Sequence, residues 1–120
     1  MTNPNKARGS SFELDVARYM AAHGFPYAER RYGAGAQADK GDINGLPGVV
    51  IECKNHAAIT LAAWMGELET ECWNATVDLM HPPRGILVVK RRGKGVERAY
   101  VVEELRSWCE HNKENDATGA

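Results

Sequence analysis

Asp42, Glu52 and Lys54 are the residues of this chain whose types and spacing could do chemistry together. Gly41-Asp42-Ile43 and Val49-Val50-Ile51-Glu52-Cys53-Lys54 are two short β-prone runs, and Asn44-Gly45-Leu46-Pro47-Gly48 between them marks a reversal. A turn centred near Leu46-Pro47 sets Asp42 opposite or diagonal to Glu52, where cross-strand Cβ atoms stand roughly 4.5–8 Å apart. The two-residue strand period puts Glu52 and Lys54 on one face and turns Val49, Ile51 and Cys53 into a core. Two carboxylates and an ammonium so arranged suit metal-assisted phosphodiester hydrolysis. Hard oxygen donors favour Mg²⁺ or Mn²⁺ over zinc, and the lysine can orient or deprotonate a water and stabilise charge developing on phosphorus. A bland alternative makes the same residues the polar outer face of a hairpin, with Lys54 simply pairing to an acid.

Other elements must hold this hairpin. The chain has 120 residues, enough for one domain spanning 1–120 with one sheet and a few covering helices, and with polar, mobile ends at about 1–9 and 112–120. Ser10 and Glu13 form a Ser-x-x-Glu capping box, so the first helix is expected from Ser10 to near His23-Gly24. Phe25 to Arg31 reads as a short strand, and Tyr32 to Gly41 as a flexible Gly-rich loop whose Gly33-Ala34-Gly35 only superficially resembles a nucleotide-binding run. Ala58 to about Met80 is a long helix stopped by Pro82-Pro83. Gly85 to Lys90 is a buried strand, Arg98 to Val102 a further strand, and Glu103 to about His111 a helix that packs Leu105, Trp108 and Cys109 inward. This order predicts a mixed α/β sandwich, with Trp64 and Trp108 in the core.

Glu13 has two readings, a cap or an inward-facing ligand. At about 100° per residue it falls within the arc of Phe12, Val16, Ala17, Met20 and Ala21, with Asp15 and Arg18 opposite. An inward carboxylate needs a cation or donors, which favours a metal-facing role. On the long helix, Glu67, Glu71, Asn74 and Asp78 make an acidic stripe expected to be mainly solvated, from which Glu71 could reach the metal region as an outer-shell group. Trp73 and Val77 project away from the helix's main apolar face, which points to a second buried surface such as a dimer contact.

The formal net charge is −1, which gives no bulk electrostatic case for nucleic acid. The positive charge is clustered, however, at Arg30-Arg31 and at Lys90-Arg91-Arg92-Gly93-Lys94, segments suited to phosphate contact. Three cysteines, Cys53, Cys72 and Cys109, lack Cys-x-x-Cys spacing, so a disulfide framework or zinc ribbon is not expected. With no signal-peptide pattern and no membrane-length apolar run, the expectation is a soluble protein of the reducing cytoplasm.

Arg8-Gly9-Ser10-Ser11-Phe12-Glu13, Ala22-His23-Gly24-Phe25, Lys40-Gly41-Asp42-Ile43 and Ile51-Glu52-Cys53-Lys54 resemble the archaeal-type Holliday junction resolvases of the PD-(D/E)xK nuclease superfamily. The likeness covers roughly the first half of the chain. It implies a restriction-endonuclease-like mixed sheet flanked by helices, and a Mg²⁺- or Mn²⁺-dependent homodimer that makes paired cuts in four-way DNA junctions. By matching position, Glu13, Asp42, Glu52 and the Cys53 carbonyl would hold metal, and Lys54 would act on the attacking water. Arg30 or Arg31 matches a DNA-contacting region, and Arg8, Lys40, Lys90, Arg91, Arg92 and Lys94 are the further candidate DNA contacts. No membrane partner or small-molecule cofactor is implied. Glu67 and Glu71 stand where the family's glutamine is expected, a departure from its pattern. Two alternatives stay open: a nicking or restriction-like DNA endonuclease without junction preference, and a non-catalytic nucleic-acid-binding module of the same fold.

Overall fold

The computed structural model describes residues 4–31, 40–76 and 82–114. Helix α1 (Pro4–Ala22) begins well before Ser10. This corrects the expected capping box: Ser10 and Glu13 lie inside the helix. Proline can occupy a first helical turn because its missing N–H has no intrahelical partner there. The far end is as expected. The amides of His23 and Phe25 both return to the Met20 carbonyl, at 3.1 and 3.0 Å, and Gly24 takes the left-handed backbone that ends the helix.

Strand β1 (Glu29–Arg30) is shorter than the expected Phe25–Arg31, because Phe25 to Ala28 forms a turn closed by the Ala28 amide on the Phe25 carbonyl at 2.9 Å. Strands β2 (Ile43–Asn44) and β3 (Val49–Lys54) form the hairpin. Helix α2 (Leu61–Thr76) then crosses over to β4 (Arg84–Val89), a 3₁₀ turn spans Val96–Arg98, β5 (Tyr100–Val102) follows, and α3 (Leu105–Asn112) ends the described chain. The sheet has five strands in the order β1-β2-β3-β4-β5, parallel between β3 and β4 and antiparallel elsewhere. With helices flanking this mixed sheet, the chain is α/β. The Gly-rich segment 32–39, Val77, Asp78 and His81 lie outside the described residues. Among the described residues no helix is long and apolar enough to cross a membrane.

The sheet is buried on both faces, as a parallel crossover requires. Phe12, Val16 and Ala17 of α1 meet Ile43, Ile51, Cys53, Ile86 and Val88 on one face. Trp64, Leu68 and Ala75 of α2 meet Val50, Leu87 and Val89 on the other. Ile43, Ile51 and Leu87 are fully enclosed, each contributing about 1.5–3 kcal/mol of burial free energy. Trp64 is thus core, as expected, but Trp108 is not. It is 53% exposed and Leu105 76%, while Cys109 is exposed too. The segment before α3 is tied at its base instead, where the Arg84 guanidinium donates twice to Glu103, at 2.8 and 3.0 Å. A two-pronged ion pair there fixes the start of α3 without burying the helix's apolar side chains.

Candidate active site

The hairpin register decides where the acids go. Ile43 faces Ile51, yet the Asp42 amide also reaches the Ile51 carbonyl, at 2.7 Å. Two residues of β2's entry thus oppose one residue of β3, the arrangement of a β-bulge, which re-aims a side chain. Gly41 makes this approach possible. Its φ of +103° is left-handed, and a Cβ there would stand 2.9 Å from the Ile51 carbonyl oxygen. Asp42 Oδ2 consequently accepts from the Cys53 amide at 2.8 Å. In an extended strand the N–H and C=O of one residue leave on the same side, so the Cys53 carbonyl, the expected backbone ligand, also faces Asp42's side of β3.

Glu52 and Lys54 share the face of β3 that α2 covers, as the strand period predicts. This face is not an outer one. Glu52 is only 7% exposed, so the bland reading of the hairpin as a solvated surface does not describe it. The Glu52 carboxyl hydrogen-bonds both Glu71 of α2 and Asp42. Burial first, and then the Glu71 hydrogen bond, push it from the ordinary 4.5 up to about 8, while Asp42's hydrogen bond and the Lys54 charge pull the other way. Lys54 Nζ stands 4.0 Å from Glu52 and is bound more closely by Glu67, with the Trp64 ring centroid 5.9 Å away. Burial works against the ammonium, but the Glu67 hydrogen bond and the charges of Glu52, Glu67 and Asp42 outweigh it and hold its pKa above the ordinary value. Lys54 is therefore a standing positive charge at neutral pH, suited to stabilising anionic oxygen and to orienting a water.

Glu13 approaches from the other helix layer. On α1, across the sheet from α2, it accepts from Arg30 Nε at 2.6 Å, and the same guanidinium donates to Ser10 Oγ at 2.9 Å. Its charge reaches the buried Cys53 thiol, which burial first, and then Asp42, Glu13, Glu52 and Glu71, push upward. Among the described residues, Glu71, Asp42 and Lys54 act on Glu52.

Strand direction gathers the rest of the candidates at one end of the sheet. The Arg31 amide donates to the Asp42 carbonyl at 2.7 Å, and the Lys90 amide donates to the Lys54 carbonyl at 2.9 Å. The ends of β1, β3 and β4 and the start of β2 therefore coincide, at the kind of strand-end position where open α/β sheets place ligands. Lys40 lies half-buried just ahead of Gly41. Beyond Lys90, whose Nζ donates to the Lys94 carbonyl at 3.3 Å, the Arg91 guanidinium lies 4.7 Å over the Tyr100 ring. Arg92 and Lys94 point to solvent. Arg30 is committed to Glu13 and Ser10, and the Arg8 side chain lies outside the described part of α1.

The donor set fits a hard divalent cation: Asp42 and Glu52 oxygens and a main-chain carbonyl are what Mg²⁺ or Mn²⁺ takes. Among the described residues no three His, Cys, Asp or Glu side chains already stand as a ligand cage; the acids hydrogen-bond one another instead. Glu71, expected as an outer-shell group, is 4% exposed and directly on Glu52. Glu67's grip on Lys54 was not foreseen. The signal for both was their one-turn spacing on the helix that must cover the face of Glu52 and Lys54. No protein-family model matches the chain, and no curated protein or solved structure matches it either.

Proposed function

We propose that this chain is a metal-dependent DNA endonuclease acting on four-way junctions, with the restriction-endonuclease-like fold that its resemblance to the archaeal-type resolvases implies. The observation that carries the reading is the convergence of Asp42, Glu52 and Lys54 at the same sheet end as Arg31 and the Lys90–Lys94 turn. Such a placement suits a phosphodiester held by basic groups on both sides of a carboxylate pair.

Asp42, Glu52 and the Cys53 carbonyl would hold Mg²⁺ or Mn²⁺, which supplies a Lewis acid for phosphoryl oxygens and lowers the pKa of a bound water. The Cys53 amide keeps Asp42 in one rotamer. Lys54, kept charged by Glu67, sets its ammonium against the oxygen that gains charge as water attacks phosphorus in line and the leaving oxygen departs. The basic turn, with backbone glycines at 93 and 95, grips a flanking phosphate. A two-fold homodimer would present two such sites to a two-fold junction and make paired cuts symmetric.

The test incubates purified protein with labelled four-way junction, linear duplex and single strand, each with Mg²⁺, Mn²⁺ or chelator. Metal-dependent cutting of the junction in preference to the other two is expected. Equal cutting of duplex and junction removes the junction preference, and no cutting with either metal removes the nuclease reading.

A further inference from the structure

The two edges of the sheet are built differently. One edge is β1, two charged residues, Glu29 and Arg30, after a turn that contains Pro26; charge and proline are devices that keep an edge from pairing. The other edge is β5, Tyr100-Val101-Val102, which has neither. Tyr100 and Val101 are exposed on it, and Leu105 and Trp108 are exposed just beyond it.

The register decides which main-chain groups this edge offers. The Arg84 and Lys90 amides donate to the Gly48 and Lys54 carbonyls, at 2.7 and 2.9 Å. Even-numbered residues of β4 therefore turn their main-chain groups toward β3, and odd-numbered ones toward β5. Leu87 faces Val102 and Val89 faces Tyr100, so these pairs carry the β4–β5 hydrogen bonds. Val101, opposite Val88, turns its N–H and C=O outward, and among the described residues no strand lies on that side of β5.

We propose that β5 is a self-pairing edge, on which two copies of this chain join antiparallel across a two-fold axis at Val101. Each Val101 then exchanges both main-chain hydrogen bonds with its counterpart, and Tyr100 stands across from the partner's Val102, an aromatic and β-branched pair of the kind that stabilises antiparallel ladders. Arg98 precedes Val101 by as many residues as Glu104 follows it, and both are exposed. Antiparallel pairing therefore sets the basic entry of one β5 against the acidic exit of the other, twice across the axis. On the α1 side the paired Val101 side chains meet beside an apolar groove of about 240 Å³ lined by Tyr19, Met20, Phe25 and Val96. A foreign strand would gain the same main-chain bonds, but a second copy also brings the matched charges. This gives a surface to the homodimer of the proposed function and does not depend on the metal chemistry.

Sedimentation equilibrium of the full-length protein over a range of concentrations measures the association, and wild type should dimerise. Val101→Pro, which removes an outward N–H and leaves the β4 ladder its donors, should weaken dimerisation by at least about tenfold. Arg98→Glu and Glu104→Arg should each weaken it by about threefold or more, because the axis repeats the changed pair, and the double substitution should return it to within about twofold of wild type. Loss of folding cannot produce that recovery. Circular dichroism melts check each variant; where Val101→Pro does not fold, the charge exchange decides alone. A double substitution that associates no better than the single ones overturns the antiparallel register. A dimer unchanged by Val101→Pro and by both charge reversals overturns the β5 surface and moves the contact to another face, such as that of Trp73. A wild type that stays monomeric yet cuts junctions with Mn²⁺ overturns this pairing alone and leaves the nuclease reading standing.

Discussion

The two faces of β3 treat acidic side chains in opposite ways. Toward α1 the strand shows Ile51 and Cys53, and the acid that α1 brings, Glu13, is met at once by a guanidinium. Toward α2 it shows Glu52 and Lys54, and α2 answers with two more acids, Glu67 and Glu71. A core built for stability alone would neutralise or exclude buried charge, as the α1 face does. The α2 face concentrates it, an arrangement that perturbed carboxyls at catalytic sites share. The contrast sets an acid paired with a guanidinium beside a cluster of acids that share one lysine, within one strand's width.

The largest effect expected is on cleavage. Asp42→Asn or Glu52→Gln should lower the rate of junction cutting by at least about 10²–10³-fold while electrophoretic shift assays show junction binding largely intact. Loss of binding with undiminished cutting per bound complex would place the chemistry elsewhere. Next come two tryptophans of the same helix. Trp64→Ala, at 4% exposure, should cost about 3–5 kcal/mol in urea unfolding, and Trp73→Ala, at 76% exposure, within about 0.5 kcal/mol. A large cost at Trp73 would show that a second surface covers it, as a dimer contact would.

The pH response should also divide the faces. Because Glu52's folded pKa is raised to about 8, the folded state binds its proton more tightly than the unfolded state does. That contribution is complete below the ordinary 4.5 and is lost as pH rises through about 8. Thermal melts of metal-free protein should therefore show stability falling across this window, and Glu52→Gln should flatten the fall. A wild-type profile identical to that of Glu52→Gln would show that Glu52 ionises normally. The smallest effect is at Glu67: Glu67→Gln should leave folding unchanged and lower cleavage by less than about tenfold, since it frees rather than removes the Lys54 charge. A drop as large as that of Asp42→Asn would give Glu67 a more direct part.

Much of the scaffold was legible in the sequence. The strand period placed Ile51 and Cys53 opposite Glu52 and Lys54, the Asn44–Gly48 reversal fixed the hairpin, and the continuous aliphatic run Ile86–Val89 marked a strand buried on both faces. Where sequence reading failed, a non-local interaction had overridden a local signal. Ser10 and Glu13 fit a capping box, but the helix runs on to Pro4 and both side chains answer to Arg30, a partner that no local rule supplies. Trp108 and Leu105 look apolar enough for a core, but Arg84 and Glu103 fix the helix start and leave them outward. Glu71 was hardest to see. A helical wheel ranks it with solvated acids, and only the crossover that lays α2 on the even-numbered residues of β3 puts it against Glu52.

The strand order also makes the sheet a ruler. Three ladder steps separate β1 from β4, a backbone spacing of roughly 14 Å at about 4.8 Å a step, comparable with the width of a B-DNA major groove, about 12 Å. Asp42 and Glu52 fall between them. On the proposed nuclease reading, the distance between two gripped phosphate rows would be set by backbone hydrogen bonds rather than by flexible side chains.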